Sequence, residues 1–315
     1  VAEVAPGAAP VLAFPLPHAP ESLNLLEAGG VPAFGSVESC AETVAMLLTP
    51  PALAAPVAPA LPATVAAAVA AAAPGVMDEV AAGEVMAALG LSRPAQVVLP
   101  PGSALPEALP FAYPVVAKLV SPDLPHKTEA GAIRLNLPDR AALAQAVAEM
   151  TADAGAFRPG YRLTGVLVQE TRRGLAEVLV GVTRDPVAGP VVTVGMGGIL
   201  AEIYCDTVVH PAPVSPDTAR RMLDNVRGLA LLRGFRGRPR GDLEALAQAV
   251  AALSQLALCE DIEEAEVNPL LVGPEGAGVV MLDALIRRRA GPVRRPPARR
   301  SAFPSGGSPG RASRG

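Results

Sequence analysis

At 315 residues, 50% hydrophobic but only 3% aromatic and without Trp, the chain is long enough for one large or two ordinary domains. Nine arginines and no acid follow from Arg287 onward, so the net charge of −4 leaves residues 1–286 at −13, which argues against general nucleic-acid binding. Cys40, Cys205 and Cys259 form no CxxC pair, and residues 1–20 lack a basic start followed by an apolar block. These features exclude a disulfide or zinc framework and point to a reducing cytoplasm.

Residues 10–48 read as a small α/β piece: VLAFPL extended, PESLNLLEAGG an amphipathic helix, VPAFG a short strand, and SVESCAETVAMLL a helix that Ser36 or Ser39 can cap. Residues 49–76 are rich in Ala and Pro and read as a linker; Pro56, Pro59, Pro62 and Pro74 spoil a membrane-spanning helix. Asp78–Leu89 then reads as a helix closed by Gly90. Gln96–Leu99, Pro114–Val120 and Ala130–Leu137 read as strands, followed by a helix capped by Asp139. Leu163–Glu170, Glu177–Thr183 and Val191–Gly195 continue the strands. Ser215-Pro216 starts a helix, Asp242–Cys259 forms another, and Glu264–Val272 with Val279–Leu285 makes a hairpin. Strands alternating with helices, several of them paired locally, give an α/β or α+β domain. Residues 291–315, rich in Pro, Gly, Ser and Arg, read as a disordered basic tail.

The only lysines, Lys118 and Lys127, lie nine positions apart in KLVSPDLPHKTEAG, with His126 between them. A chain that uses Arg nearly everywhere else keeps Lys where a compact ammonium is needed. Lys118 ends a strand and can aim a point charge at a phosphate. The two prolines of SPDLP rule out a helix, so His126 is presented on a loop, where a neutral imidazole can accept a phosphoryl group. In GPVVTVGMGGIL, Gly195, Gly197 and Gly198 follow a buried strand and precede an expected helix at Ile199, a place where backbone N–H groups bind anions. Glu266 and Asn268 share a strand face. A turn centred on Glu275-Gly276 sets Asn268 opposite Asp283, about 5 Å apart at Cβ, close enough to share one Mg²⁺. A one-residue slip in register would undo that pairing.

Taken in order, KLVSPDLPHKTEAG, the strands and glycine loop from Val166 to Asp206, RGFRGRPRGD, and EVNPLLV with MLDALI resemble the ATP-grasp part of the NDP-forming acyl-CoA synthetases, relatives of succinyl-CoA synthetase. The likeness spans residues 78–286, and residues 10–48 resemble the tail of the doubly wound CoA-ligase half that precedes ATP-grasp in fused members. It implies residues 1–48 as that remnant, 49–76 as linker, 77–290 as an ATP-grasp domain and 291–315 as tail.

The implied chemistry interconverts acyl-CoA, ADP and phosphate with a carboxylic acid, CoA and ATP through phosphohistidine. His126 matches the histidine that shuttles phosphate, steadied by Glu266. Lys118 would contact nucleotide phosphates, Glu170 and Glu177 would hold adenine and ribose, and Gly197 and Gly198 would line the phosphates. Asn268 and Asp283 match the Mg²⁺ ligands. The implied substrates are ATP or ADP, CoA and a small carboxylic acid. The implied partner is a CoA-binding, alpha-type domain or subunit with the first phosphohistidine, in an oligomer. Where many members have Asp-Val-Gly-Gly after the histidine, this chain has Glu129, Ala130, Gly131 and Ala132. His18 lies in the wrong segment to be the first phosphohistidine. The alternatives are an ATP-grasp carboxylate ligase without phosphohistidine, and a non-catalytic nucleotide-binding regulatory fragment.

Overall fold

The computed structural model describes residues 11–17, 19–48, 61–124, 126–198 and 206–289. His18, the expected helix at Ile199 and the basic tail lie outside them. The described residues fall into two units that divide between Pro56 and Val57.

In the first unit, α1 (Pro20–Ala28) and α2 (Val37–Leu48) accompany an isolated parallel bridge between Ala13 and Ala33. Pro20 opens α1, where its missing N–H costs nothing. The Ser36 hydroxyl accepts from the Ser39 N–H at 3.2 Å at the start of α2, as its position in the sequence suggests.

The second unit holds two antiparallel sheets with separate cores. The smaller runs β2 (Gln96–Leu99), β5 (Gly165–Glu170), β3 (Val115–Val120), β4 (Ile133–Leu137). It packs against α5 (Arg140–Phe157), whose Leu143, Ala146, Met150 and Ala154 bury one stripe against Val115, Leu119 and Val168. The larger sheet runs β1 (Gly75–Val76), β11 (Ala284–Arg288), β9 (Ile262–Val272), β6 (Ala176–Asp185), β7 (Gly189–Met196), β8 (Thr207–Pro211), with β10 (Val279–Met281) also on β9. Helices α4 (Glu79–Ala88), α6 (Pro216–Asn225) and α7 (Leu243–Ser254) share its core. Every ladder in both sheets is antiparallel, so of the two classes left open by the sequence this unit is α+β.

The caps follow the chemistry of their residues. Asp78, Asp139, Ser215 and Asp242 each accept from a backbone N–H three residues on, at 2.8–3.1 Å. Asp242 does more. Its other oxygen takes the N–H groups of Gly276 and Gly278, at 3.0 and 2.9 Å, and so fixes the turn between β9 and β10 to the start of α7.

One boundary is corrected. The second half of the expected 49–76 linker is ordered structure: Ala63–Ala71 forms a helix, α3, and Gly75–Val76 pairs with Arg288 and Arg287. Val65 and Val69, one helical turn apart, are both fully buried in the large core. Helix α3 starts after Pro62, where the ring breaks no hydrogen bond, and Arg288 binds the terminal carbonyls of Ala70 and Ala72. Alanine on every other face hides the valine stripe from a reading of hydrophobic periodicity.

Candidate active site

The loop between β3 and β4 carries His126 as expected, and its path is set by ordinary local bonds. The Ala130 N–H reaches the His126 carbonyl at 3.2 Å, and the Ala132 N–H reaches the Lys127 carbonyl at 2.8 Å. Gly131 adopts φ +62°, and a Cβ there would come within 2.9 Å of the Asp153 side chain, so this position of the loop accepts only glycine. Upstream, Asp123 anchors the loop to Arg162, taking its N–H, Nε and terminal nitrogen at 3.0 Å each. The side-chain bond from Arg162 is the main cause that lowers the Asp123 pKa to about 2.

His126 opens onto a cavity of about 390 Å³ lined also by Glu79, Lys127, Thr128, Glu264, Glu266, Asn268, Asp283 and Arg287. The hairpin register is the one its turn chemistry implies. Met281 pairs Leu270 and Ala284 pairs Val267, and the Asn268 N–H donates to the Asp283 carbonyl at 3.3 Å. Burial raises the Glu266 pKa. The Asn268 side chain donates to its carboxylate and His126 also acts to lower the value, while Glu264 and Asp283 act to raise it further. Four candidates, His126, Glu266, Asn268 and Asp283, therefore share one chamber.

Glu170 and Glu177 line separate clefts, the second of which is bordered by Leu282, the residue before Asp283. Glu170 lines a cleft of about 470 Å³ with Tyr113, Thr171, Arg172, Pro274 and Gly278. Glu177 lines an adjoining cleft of about 380 Å³ that shares Arg172, Arg173 and Leu271 with the first and also touches Leu282. Gly197 donates to the Glu177 carbonyl at 2.7 Å. A Cβ on Gly198, which has φ +78°, would lie 3.1 Å from the Glu177 carboxylate. The glycine pair thus packs against Glu177.

Lys118, expected to contact nucleotide phosphates, has a buried ammonium that lies 2.5 Å from Glu79 Oε1 and 2.6 Å from the Leu282 carbonyl. Alternation along β3 does fix its direction, but that direction leads to the first turn of α4. Lys127, which sequence reasoning treated only as a neighbour of His126, reaches 3.0 Å from Glu79 Oε2 and 3.1–3.2 Å from both Asp283 oxygens. Burial acts to lower its pKa, but Glu79 and Asp283 outweigh that and raise it. Glu79 was missed altogether. The only available signal was a Glu in the first turn of a helix, next to its cap.

A single carboxylate and an amide do not cage a metal, and among the described residues no group of three His, Cys, Asp or Glu does so. Mg²⁺ commonly uses one or two protein oxygens and takes the rest from phosphate and water. The Asn268 and Asp283 oxygens fit that donor set, and the Lys127 ammonium already places positive charge against Asp283.

The model of the ATP-grasp domain matches residues 68–287. Over 216 residues the chain is 34% identical to the β subunit of ADP-forming acetate–CoA ligase II of Pyrococcus furiosus, covering 67% of this chain and 90% of that one. The chain belongs to the ATP-grasp family of ADP-forming CoA ligases. It is also 34% identical to the ADP-forming 4-hydroxybutyrate–CoA ligase of Nitrosopumilus maritimus over 64% of its length, but spans only 29% of that relative. Among solved structures, acetyl-coenzyme A synthetase 1 of Ca. Korarchaeum cryptofilum, with coenzyme A and Ca-AMPCP, superposes with TM-score 0.62 at 30% identity, covering 68% of this chain and 94% of that chain. A further structure of that synthetase holds Mg-AMPPCP, with its phosphohistidine segment pointing towards the nucleotide-binding site. The ATP-grasp fold expected from the motifs is therefore shown, and the matched region begins inside the stretch first read as linker.

Proposed function

We propose that this ATP-grasp chain is the nucleotide-side part of an ADP-forming acyl-CoA synthetase in which His126 carries the phosphoryl group. The observation that supports the reading is the shared chamber of His126, Glu266, Asn268 and Asp283, together with the Glu170 and Glu177 clefts, the second of which is lined by Leu282, the neighbour of Asp283. ATP lying in those clefts, with its base near Glu170 and its phosphates near Gly197 and Gly198, would direct its γ-phosphate past Asp283 toward His126.

A ring nitrogen of His126 then attacks the γ-phosphorus. The new N–P bond forms as the bond to the β–γ bridging oxygen breaks, and ADP leaves with that electron pair. The Glu266 carboxylate orients the imidazole and offsets the charge it gains. A Mg²⁺ ion held by Asn268 and Asp283 would neutralise charge on the phosphate oxygens. The phosphoryl passes next to a partner domain or subunit that binds CoA and carries its own histidine, which completes thioester formation from a small carboxylic acid. In the reverse direction the same steps yield ATP. We place this oligomeric enzyme in the cytoplasm, and residues 1–48 as the end of a CoA-ligase-type unit. Among the described residues no helix is long and apolar enough to cross a membrane.

The test is labelling with γ-³²P-ATP in the presence of the CoA-binding partner. Acid-labile, base-stable label at His126, lost in His126→Ala while nucleotide binding persists, is the expected result. Parent-rate thioester formation by His126→Ala would favour an ATP-grasp ligase that needs no phosphohistidine.

A further inference from the structure

Glu79 is only 8% exposed although it is ionisable, and a glutamate is rarely buried so fully unless it is paired. Both lysines of the chain supply that pairing. Lys118 Nζ lies 2.5 Å from one carboxylate oxygen and Lys127 Nζ 3.0 Å from the other. Each lysine also binds one of two consecutive residues that follow β10: Lys118 the Leu282 carbonyl at 2.6 Å, Lys127 the Asp283 carboxylate at 3.1 and 3.2 Å. The Lys127 ammonium is therefore shared between two carboxylates that both line the chamber, one buried and one more exposed. Side-chain exposure is 4% for Glu79 and 29% for Asp283.

Resting on the reading of Asp283 as a metal ligand, we propose that Glu79 is a positioning residue that gives the Lys127 ammonium a second seat, so that a divalent cation can displace it from Asp283. An ammonium and a divalent cation on one carboxylate repel each other strongly at such short range. With the Glu79 carboxylate in place, Lys127 yields Asp283 while keeping an ion pair and stays beside His126. Once that carboxylate is replaced, Asp283 is the one carboxylate still paired with Lys127 among the described residues, and the metal must compete with the ammonium for it.

Mn²⁺ serves as the probe, its binding to the purified chain with ADP followed by electron paramagnetic resonance. Glu79→Gln is expected to weaken Mn²⁺ binding about tenfold, a coupling of ordinary size for residues in one ion-pair network. Lys127→Met, which removes the competitor, is expected to tighten it severalfold. In the Lys127→Met background Glu79→Gln should change the affinity less than about twofold, because the residue it acts through is gone. Equal losses from Glu79→Gln in both backgrounds would mean that it acts through the fold or by its charge alone, and would overturn the proposal. If Glu79→Gln does not fold, Lys127→Met decides: unchanged or weaker Mn²⁺ binding overturns it. Asp283→Asn separates the two levels. If Mn²⁺ still binds that variant as it binds the parent, the metal reading of Asp283 falls and this inference with it. If Asp283→Asn loses Mn²⁺ while Lys127→Met leaves it unchanged, this inference alone falls.

Discussion

Asn268 and Asp283 stand opposite one another across the β9 hairpin, with the Asn268 N–H donating to the Asp283 carbonyl oxygen over 3.3 Å. The backbone bond fixes the pair without using either side chain. Both residues line the chamber of His126.

Asp283→Ala is therefore expected to leave the hairpin intact, since the backbone bond survives, but to remove the carboxylate that Lys127 and the Ala284 N–H share. Mg²⁺-dependent ADP affinity should fall at least tenfold, with little change in ADP binding measured in EDTA. Titration calorimetry with and without Mg²⁺ checks this, and equal affinities for parent and variant in Mg²⁺ would remove Asp283 from the site.

Asp123 offers a pH test of the loop that bears His126. Its pKa is lowered from 3.8 to about 2, chiefly by the side-chain bond from Arg162. A depressed folded-state pKa gives stabilisation that is fully present above the unfolded value and is lost as the pH falls through the folded one. The gap in melting temperature between the parent and Asp123→Asn should thus be constant at neutral pH and shrink as pH drops from about 4 toward 2. The same variant should slow labelling of His126 severalfold at pH 7 by loosening the loop. A gap that widened in acid would contradict the Arg162 anchor.

Much of this was legible in the sequence because it is local. Caps at Asp139 and Ser215 depend on residues three apart, and the hairpin register depends on a turn centred at Glu275-Gly276. What stayed hidden is long-range. The Lys118–Glu79 pair spans 39 positions and the Lys127–Asp283 pair 156, and no periodicity encodes either. A lysine at a strand end is equally consistent with a phosphate and with a buried partner. Only the fold, by placing the first turn of α4 beneath β3, reveals the Glu79 partner. Strand β8 and helix α3 were missed for a different reason: one is a mostly exposed edge strand, the other nearly all alanine.

Asp242 should matter to stability and binding together. Its nearly buried carboxylate accepts from Ala245, Gly276 and Gly278, joining a helix cap to a turn whose residues line the Glu170 cleft. Asp242→Ala leaves three N–H groups without that acceptor, at an expected cost of about 2–4 kcal/mol. Denaturant unfolding should show a lower midpoint with an unchanged slope, and nucleotide affinity should fall severalfold as the turn relaxes. Asp242→Asn, which keeps one acceptor oxygen, should recover part of both. A variant as stable as the parent would show that solvent satisfies these groups.

The last prediction tests whether the glycine pair belongs to the nucleotide side. Gly197 donates to the Glu177 carbonyl at 2.7 Å, and a Cβ on it would lie 3.1–3.2 Å from the Glu177 carbonyl carbon and oxygen and the Val178 nitrogen. These are backbone atoms of a central strand and cannot swing aside as a side-chain tip would, so Gly197→Ala must push the loop away from Glu177. The expected loss of stability is about 1–3 kcal/mol, as for other overpacked sites. If the pair lines the phosphates, ADP affinity should fall about tenfold, an effect of ordinary size for losing a well-placed backbone donor to a charged group. Gly155→Ala, in helix α5 with nothing beyond the helix's own neighbouring backbone within 4 Å of its added Cβ, is the control. It should be neutral or stabilising by up to about 1 kcal/mol. Calorimetric ADP titration of both variants decides: unchanged affinity in a destabilised Gly197→Ala would make the glycine pair a packing device for β6 and β7 and leave the phosphates to be held elsewhere in the cleft.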